Sequence, residues 1–158
     1  MLKIDMHTHI LPEKLPNFAK KFGYGDFIHL IHNTDGSANM MKGEKFFRRI
    51  QANCWDPELR IADYEKFDTQ VQVVCTIPVM FSYWAKAKDT KALAEFLNDD
   101  IAELCQRYPQ NYLGLGTLPM QDAEEAIKEL ERCKELGLLG VQIGSNINDK
   151  NLSEPEFF

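Results

Sequence analysis

The residues best placed to do chemistry stand at the start of the chain, where His7 and His9 are separated by one threonine. Side chains two apart on a strand share a face, so two imidazoles at that spacing can converge on one cation. Histidine nitrogens suit zinc at about 2.0 to 2.1 Å, and a catalytic zinc needs at least one further protein ligand and an open position for water. The same ligand type admits manganese, cobalt or iron, so one divalent metal ion is expected, with zinc first. Alternation adds Asp5 to the histidine face and sends Leu2, Ile4 and Met6 to the other, where they would pack on helices. The competing reading is two histidines capped or solvated at a strand end. With four histidines in 158 residues, an accidental HxH has a chance on the order of one in ten, and its place at the end of the first apolar run lowers that further. His29 and His32, three apart, could meet on a helix and bind metal, but they read better as a polar surface.

Four short apolar runs read as strands: Leu2 to His7, Val71 to Val79, Tyr112 to Leu118 and Gly140 to Gly144. Three helical patterns lie between them. Asp56 and Pro57 give an N-cap and a first-turn proline, although the apolar spacing after them is weak. Asp89 is expected to cap a helix whose stripe is Leu93, Leu97, Ile101, Leu104 and Tyr108, closed by Pro109. Asp122 and Glu125 stand at capping-box spacing before Ala126, Ile127, Leu130 and Cys133, and Gly137 stops that helix. Strand and helix therefore alternate, which predicts a parallel sheet with right-handed crossovers.

A doubly wound sheet would usually carry a glycine-rich phosphate loop after its first strand, and His7 to Pro12 stand there instead. The fold class expected is α/β, the N-terminal half of a (β/α)8 TIM barrel, in which chemistry sits at the C-terminal ends of the strands. A whole barrel takes about 250 residues, so residues 1–158 form one incomplete barrel domain of about four parallel strands. Residues 10–55 are too long for a plain turn and read as an insertion covering the substrate after the first strand.

The chain is 44% hydrophobic and 27% charged, with a net charge of −6. No block of lysine and arginine is present to neutralise phosphates, so nucleic acid is not an expected partner. No run of roughly 18 apolar residues predicts a membrane span, and the first residues lack a signal-peptide pattern. Cys54, Cys75, Cys105 and Cys133 form no CxxC pair and read as reduced thiols, which together with the N-terminus points to a cytoplasmic protein.

The segment Asp5-Met6-His7-Thr8-His9-Ile10-Leu11-Pro12 resembles the opening of the amidohydrolase superfamily. Lys21 to Gly25, Asn53 to Pro57, Pro78 to Ala85, Gly114 to Gln121 and Gly140 to Gly144 narrow the resemblance to its aminocarboxymuconate-semialdehyde decarboxylases. It covers essentially the whole chain. HxH is shared by many hydrolases, whereas the stretches from Pro78 and from Gly114 are far more specific. The resemblance implies metal-dependent, non-oxidative loss of carbon dioxide from 2-amino-3-carboxymuconate-6-semialdehyde in tryptophan (kynurenine) catabolism. It assigns the metal to His7 and His9. It assigns the other ligands and the acid–base histidine to later strands, so no catalytic acid or base is expected within this chain.

The resemblance also implies a carboxylate-binding arginine in the insertion. Alignment on Asn53 to Pro57 puts it at Arg48, with Arg49 the alternative if the register slips; a guanidinium fork can grip both carboxylate oxygens. Without the resemblance, the pair reads as solvated on a short helix. Lys42 would attract the dicarboxylate substrate, or be an exposed loop lysine. Phe81 and Trp84 would wall the pocket, or belong to the core beneath the insertion. The family implies a homodimer. Two alternatives stand beside this reading: a related decarboxylase or hydrolase of aromatic carboxylic acids, and a catalytically inactive truncated fragment with unpaired sheet edges.

Overall fold

The computed structural model describes residues 1–157. In chain order the elements are β1 (Ile4–His9), α1 (Phe18–Phe22), β2 (Ile28–His32), β3 (Ala38–Lys42), β4 (Lys45–Ile50), α2 (Pro57–Glu65), β5 (Val71–Cys75), α3 (Ala87–Arg107), β6 (Tyr112–Gly116), α4 (Ala123–Glu135), β7 (Gly140–Val141), β8 (Asn146–Ile147) and β9 (Lys150–Asn151). Strands β1, β5, β6 and β7 form one parallel sheet in that order, with β1 and β7 at its edges. Helices α2, α3 and α4 make the returns between successive strands, the repeated unit of a partial barrel.

Local chemistry explains most boundaries. Asp56 Oδ1 accepts from the backbone N–H groups of Glu58 and Leu59 at 2.9 and 3.1 Å, and Pro57 opens α2. Asp122 caps α4 through the Glu125 N–H at 3.1 Å, and Gly137 follows its end at φ +83°. Leu93, Leu97, Ile101 and Leu104 are buried along α3, as their spacing predicts. Tight packing of α3 and α4 against β6 depends on Gly116, where an added Cβ would lie 2.6 Å from Cys133 Sγ. All four cysteines are free thiols. No helix among the described residues is long and apolar enough to cross a membrane.

Several expectations change. The apolar run from Val71 leaves the sheet at Cys75, and Pro78 then opens a single 3-10 turn to Met80. Only Gly140–Val141 of the fourth run pairs in the sheet. Helix α3 begins at Ala87, and Asp89 does not cap it. Its carboxylate is buried and accepts from the Tyr24 hydroxyl at 2.8 Å, tying the helix to the insertion. On α4, Ala126 and Cys133 are buried, but Ile127 and Leu130 are 59% and 45% exposed and Glu129 occupies the buried face. Leu2, Ile4 and Met6 do not pack on helices either; they are exposed.

The insertion is a folded unit. Strands β2, β3 and β4 form an antiparallel meander, bulged at Phe47, where Met40 faces Arg48 and Met41 faces Phe46. Phe18, Phe27, Met40 and Trp55 share one apolar cluster with Met80, Ala85, Leu93 and Leu97, so the meander and the loop after β5 share a core. Arg48 and Arg49 accordingly lie on a strand rather than a helix.

Candidate metal centre

The first strand does not run with a strict period of two. Asp5 pairs with Gln72 and Thr8 with Val74, so three steps on β1 match two on β5, and a bulge falls at Met6 and His7. The bulge turns Asp5 and Thr8 to the α2 side. The Tyr64 hydroxyl of α2 donates to Asp5 Oδ2 at 2.9 Å and lies 3.4 Å from Thr8 Oγ1. Asp5 therefore does not share the histidine face; its other oxygen accepts the backbone N–H of His7 at 3.2 Å.

His7 and His9 do come together. Their ring centroids are 4.8 Å apart, with the planes at 86°. With Cys75 they place three donor atoms within 4.8 Å of one another. The Nδ1–H of His9 donates to the Thr76 carbonyl at 3.1 Å, leaving Nε2 as the lone-pair nitrogen, the arrangement that orients an imidazole for a metal. Burial, followed by the repulsion of His7, holds the His9 pKa below the ordinary histidine range, which favours the neutral ring that a metal needs. Cys75 fits less well. Its thiol donates to the Thr8 carbonyl at 3.4 Å, and burial pushes its pKa up to about 11, away from the thiolate a metal needs. The donor set that fits a divalent ion is therefore the two imidazoles.

Beneath this strand lies a residue that sequence reasoning missed. Arg60 of α2 is 7% exposed. Its guanidinium donates to Thr8 Oγ1 at 2.5 Å, to Gln72 Oε1 at 3.0 and 3.2 Å, and to the Asn53 carbonyl at 3.0 Å. Gln72, a polar residue on the apolar strand β5, was the available signal that a buried partner faced it.

The loop after β5 forms a wall at the C-terminal face of the sheet. A cavity of about 540 Å³ is lined by Lys42, Phe81, Tyr83, Trp84, Gln142 and Asn146, within the range of small-molecule sites. Phe81 is buried and stacks on Tyr83 with centroids 5.4 Å apart. Trp84 is 47% exposed and held from behind by Phe27, at 4.8 Å between centroids. Gly25 makes room for that indole: a Cβ there would fall 2.4 Å from Trp84 Cη2, and φ is +81°. Lys42, Phe81 and Trp84 thus meet in one cavity, whose lining includes neither His7 nor His9.

Arg48 lines neither feature. It is exposed on β4, its guanidinium 5.0 Å over the Phe47 ring, with no hydrogen-bond or ion-pair partner among the described residues. Arg49 is engaged by the turn between β2 and β3, donating to Ser37 Oγ at 2.9 Å and pairing with Asp35. His29 and His32 do not meet across a helix. They lie on β2, where the Nε2 of His32 is 2.8 Å from the Glu13 carbonyl and the Nδ1 of His29 is buried without a partner.

Residues 4–158 match the amidohydrolase family model. Over 158 residues the chain is 52% identical to the 2-amino-3-carboxymuconate-6-semialdehyde decarboxylase of Dictyostelium discoideum, covering 99% of this chain and 44% of that protein. It is 40% identical to the enzyme of the same name from Caenorhabditis elegans, with 99% and 44% covered. Among solved structures, the manganese complex of 5-carboxyvanillate decarboxylase from Novosphingobium aromaticivorans matches with a TM-score of 0.63 and 31% identity, over 66% of this chain and 30% of that one. The chain spans less than half the length of these relatives. With its parallel strands, its HxH strand and the family match over residues 4–158, this chain belongs to the amidohydrolase family.

Proposed function

We propose that the protein is a divalent-metal decarboxylase of the aminocarboxymuconate-semialdehyde type, releasing carbon dioxide from 2-amino-3-carboxymuconate-6-semialdehyde. The observation that carries this reading is the 52% identity to a decarboxylase of that name across 99% of the chain. His7 and His9 hold the ion, for which zinc is proposed, and further ligands on later strands of the barrel complete its set. A divalent ion at that position supplies Lewis acidity. Lys42 draws the anionic substrate toward the cavity, and Phe81 and Trp84 flank its planar conjugated body. Arg48, exposed and without a hydrogen-bond or ion-pair partner among the described residues, grips a substrate carboxylate through its fork. The acid–base residue that protonates the carbon losing carboxylate likewise belongs to those later strands. In this reading the protein acts in tryptophan catabolism, in the cytoplasm, as a homodimer. Its free cysteines suit a reducing compartment.

The test is turnover of the natural polypeptide on two substrates, the muconate semialdehyde and 5-carboxyvanillate. Turnover of the first, lost on chelation and restored by zinc, is the expected result. Arg48→Ala should lower kcat/KM on it about 100-fold, roughly 2.7 kcal/mol, whereas Arg49→Ala should change it less than about threefold. Turnover of carboxyvanillate alone would replace this reading with an aromatic-acid decarboxylase, the alternative favoured by the 5-carboxyvanillate decarboxylase match.

A further inference from the structure

We propose that Arg60 is a positioning residue for the metal-ligating strand, acting through Thr8. The inference rests on the reading of His7 and His9 as metal ligands and adds a residue that reading does not contain. Thr8 stands between the two histidines, and its side chain points away from them toward α2. One guanidinium joins three segments there: β1 through Thr8 Oγ1, β5 through Gln72 Oε1, and the chain entering α2 through the Asn53 carbonyl.

Two features separate Arg60 from an ordinary buried arginine. It has no carboxylate partner in ion-pair range among the described residues; its acceptors are a hydroxyl, an amide and a carbonyl. A buried charge without a counter-ion costs several kcal/mol, so fold stability alone gives little reason to place one. Its contact on β1 also falls at the end of the bulge. A bulge is the point where a strand can slip, and a slip by one residue would turn the imidazoles to the other face. Fastening Thr8 on the α2 side fixes that register. Asp5 fastens the preceding segment in the same way, through the Tyr64 hydroxyl and the His7 N–H. The histidine pair is thus held from behind at both ends of the bulge.

The test measures metal affinity as well as activity, using the natural polypeptide stripped of metal. Zinc affinity is read by competition with a chromophoric chelator, cobalt by the visible spectrum of the bound ion, and unfolding by thermal melts. Thr8→Val keeps the side-chain shape and removes only the acceptor. Loss of partners in the outer shell of a metal site typically weakens binding about 10- to 100-fold, and that range is expected for both Thr8→Val and Arg60→Met. Thr8→Ser should restore affinity to within about threefold of the parent. The double variant should bind little more weakly than Arg60→Met, because the Arg60–Thr8 contact is already lost in that single variant. The cobalt bands should shift in Thr8→Val and return in Thr8→Ser.

Should Arg60→Met not fold, the two Thr8 variants decide alone. If Thr8→Val and Arg60→Met bind zinc within about threefold of the parent while their melting temperatures fall, Arg60 is a structural brace and the proposal is overturned. If the parent itself takes up neither zinc nor cobalt, the metal reading of His7 and His9 fails, and this inference fails with it.

Discussion

Two buried polar networks flank the central strands, and they are built differently. Between α3 and α4, Asn98 is fully buried. It donates to the Thr117 carbonyl at 2.9 Å and to Glu129 Oε1 at 2.6 Å, and accepts the Thr117 N–H at 2.8 Å. Glu129, 1% exposed, receives two guanidinium N–H bonds from Arg132 at 2.8 Å each, and Arg132 also reaches Asp99. Negative charge meets positive within the network, and each partner belongs to the helices or to the loop end of β6. On the other side, Arg60 brings a positive charge to neutral acceptors, and carboxylates enter its chain of contacts only at one remove or more, Asp63 through Asn53 and Asp5 through Thr8 and Tyr64. The first network closes on itself and holds helices to the sheet. The second stays open in charge and holds the strand that carries the histidines, so the difference separates a polar core that ties helices to the sheet from one that ties down the histidine strand.

The sharpest way to break this contrast is Glu129→Ala. The change takes from Arg132 its buried partner, leaving only Asp99, and from the Asn98 amide one of its acceptors. Breaking a buried ion pair costs about 3 to 5 kcal/mol, and the low end is expected here because Asp99 and the Thr117 carbonyl remain. Urea unfolding should show that loss, while zinc affinity per folded molecule stays within about threefold of the parent. A large fall in zinc affinity would join the two networks functionally and dissolve the comparison. Next in size is Tyr64→Phe, which removes the hydroxyl between Asp5 and Thr8 but leaves Arg60 in place. A lost hydrogen bond to a charged acceptor costs roughly 1.5 to 3 kcal/mol, toward the low end where the site is partly exposed. Denaturant unfolding checks the stability change. Zinc titration should also find a weakening, smaller than that of Thr8→Val, because the Arg60 contact survives.

The sequence discloses these two regions unequally. The α3 stripe, the caps at Asp56 and Asp122 and the stop at Gly137 are local signals, and the structure keeps them. The convergence of the HxH pair is legible because bringing two imidazoles together needs only two residues and a strand. Asp5 misleads because a bulge resets the alternation after it, and a bulge comes from pairing with β5, not from β1 alone. Asp89 looks like a cap because that role is local, yet its partner, Tyr24, lies 65 positions away. The meander in residues 10–55 has turn signals at Asp35-Gly36 and at Gly43, but its strands pass for loop because their apolar alternation is weak. Arg60 is hidden for a similar reason, since α2 has too faint an apolar stripe to show which side faces the sheet. Ile127 and Leu130 err the other way: their spacing marks a buried face, and the helix instead turns Glu129 inward to meet Asn98 and Arg132.

A second poorly compensated charge supplies the finest test of the comparison. Asp100 on α3 faces away from the closed network, lining a hollow with Glu58, Glu103 and Arg107, and has no hydrogen-bond or ion-pair partner among the described residues. Burial, reinforced by Glu103, pushes its carboxyl up to about 6, with Arg107 opposing. The folded-state pKa lies above the unfolded value, so the folded chain keeps a proton that the unfolded chain gives up. Asp100 therefore favours the fold below about pH 3.8 and loses that advantage as pH rises through about 6. Asn mimics the protonated form, so Asp100→Asn should stabilise the protein at pH 7.5 by of order 1 kcal/mol after allowance for solvent screening. The gain should shrink toward zero near pH 4, as denaturant titrations at the two pH values would show. Removing Arg60, by contrast, should cost metal affinity at every pH where the histidines are neutral. If Asp100→Asn instead weakened zinc binding, a charge without a counter-ion would no longer distinguish the histidine strand.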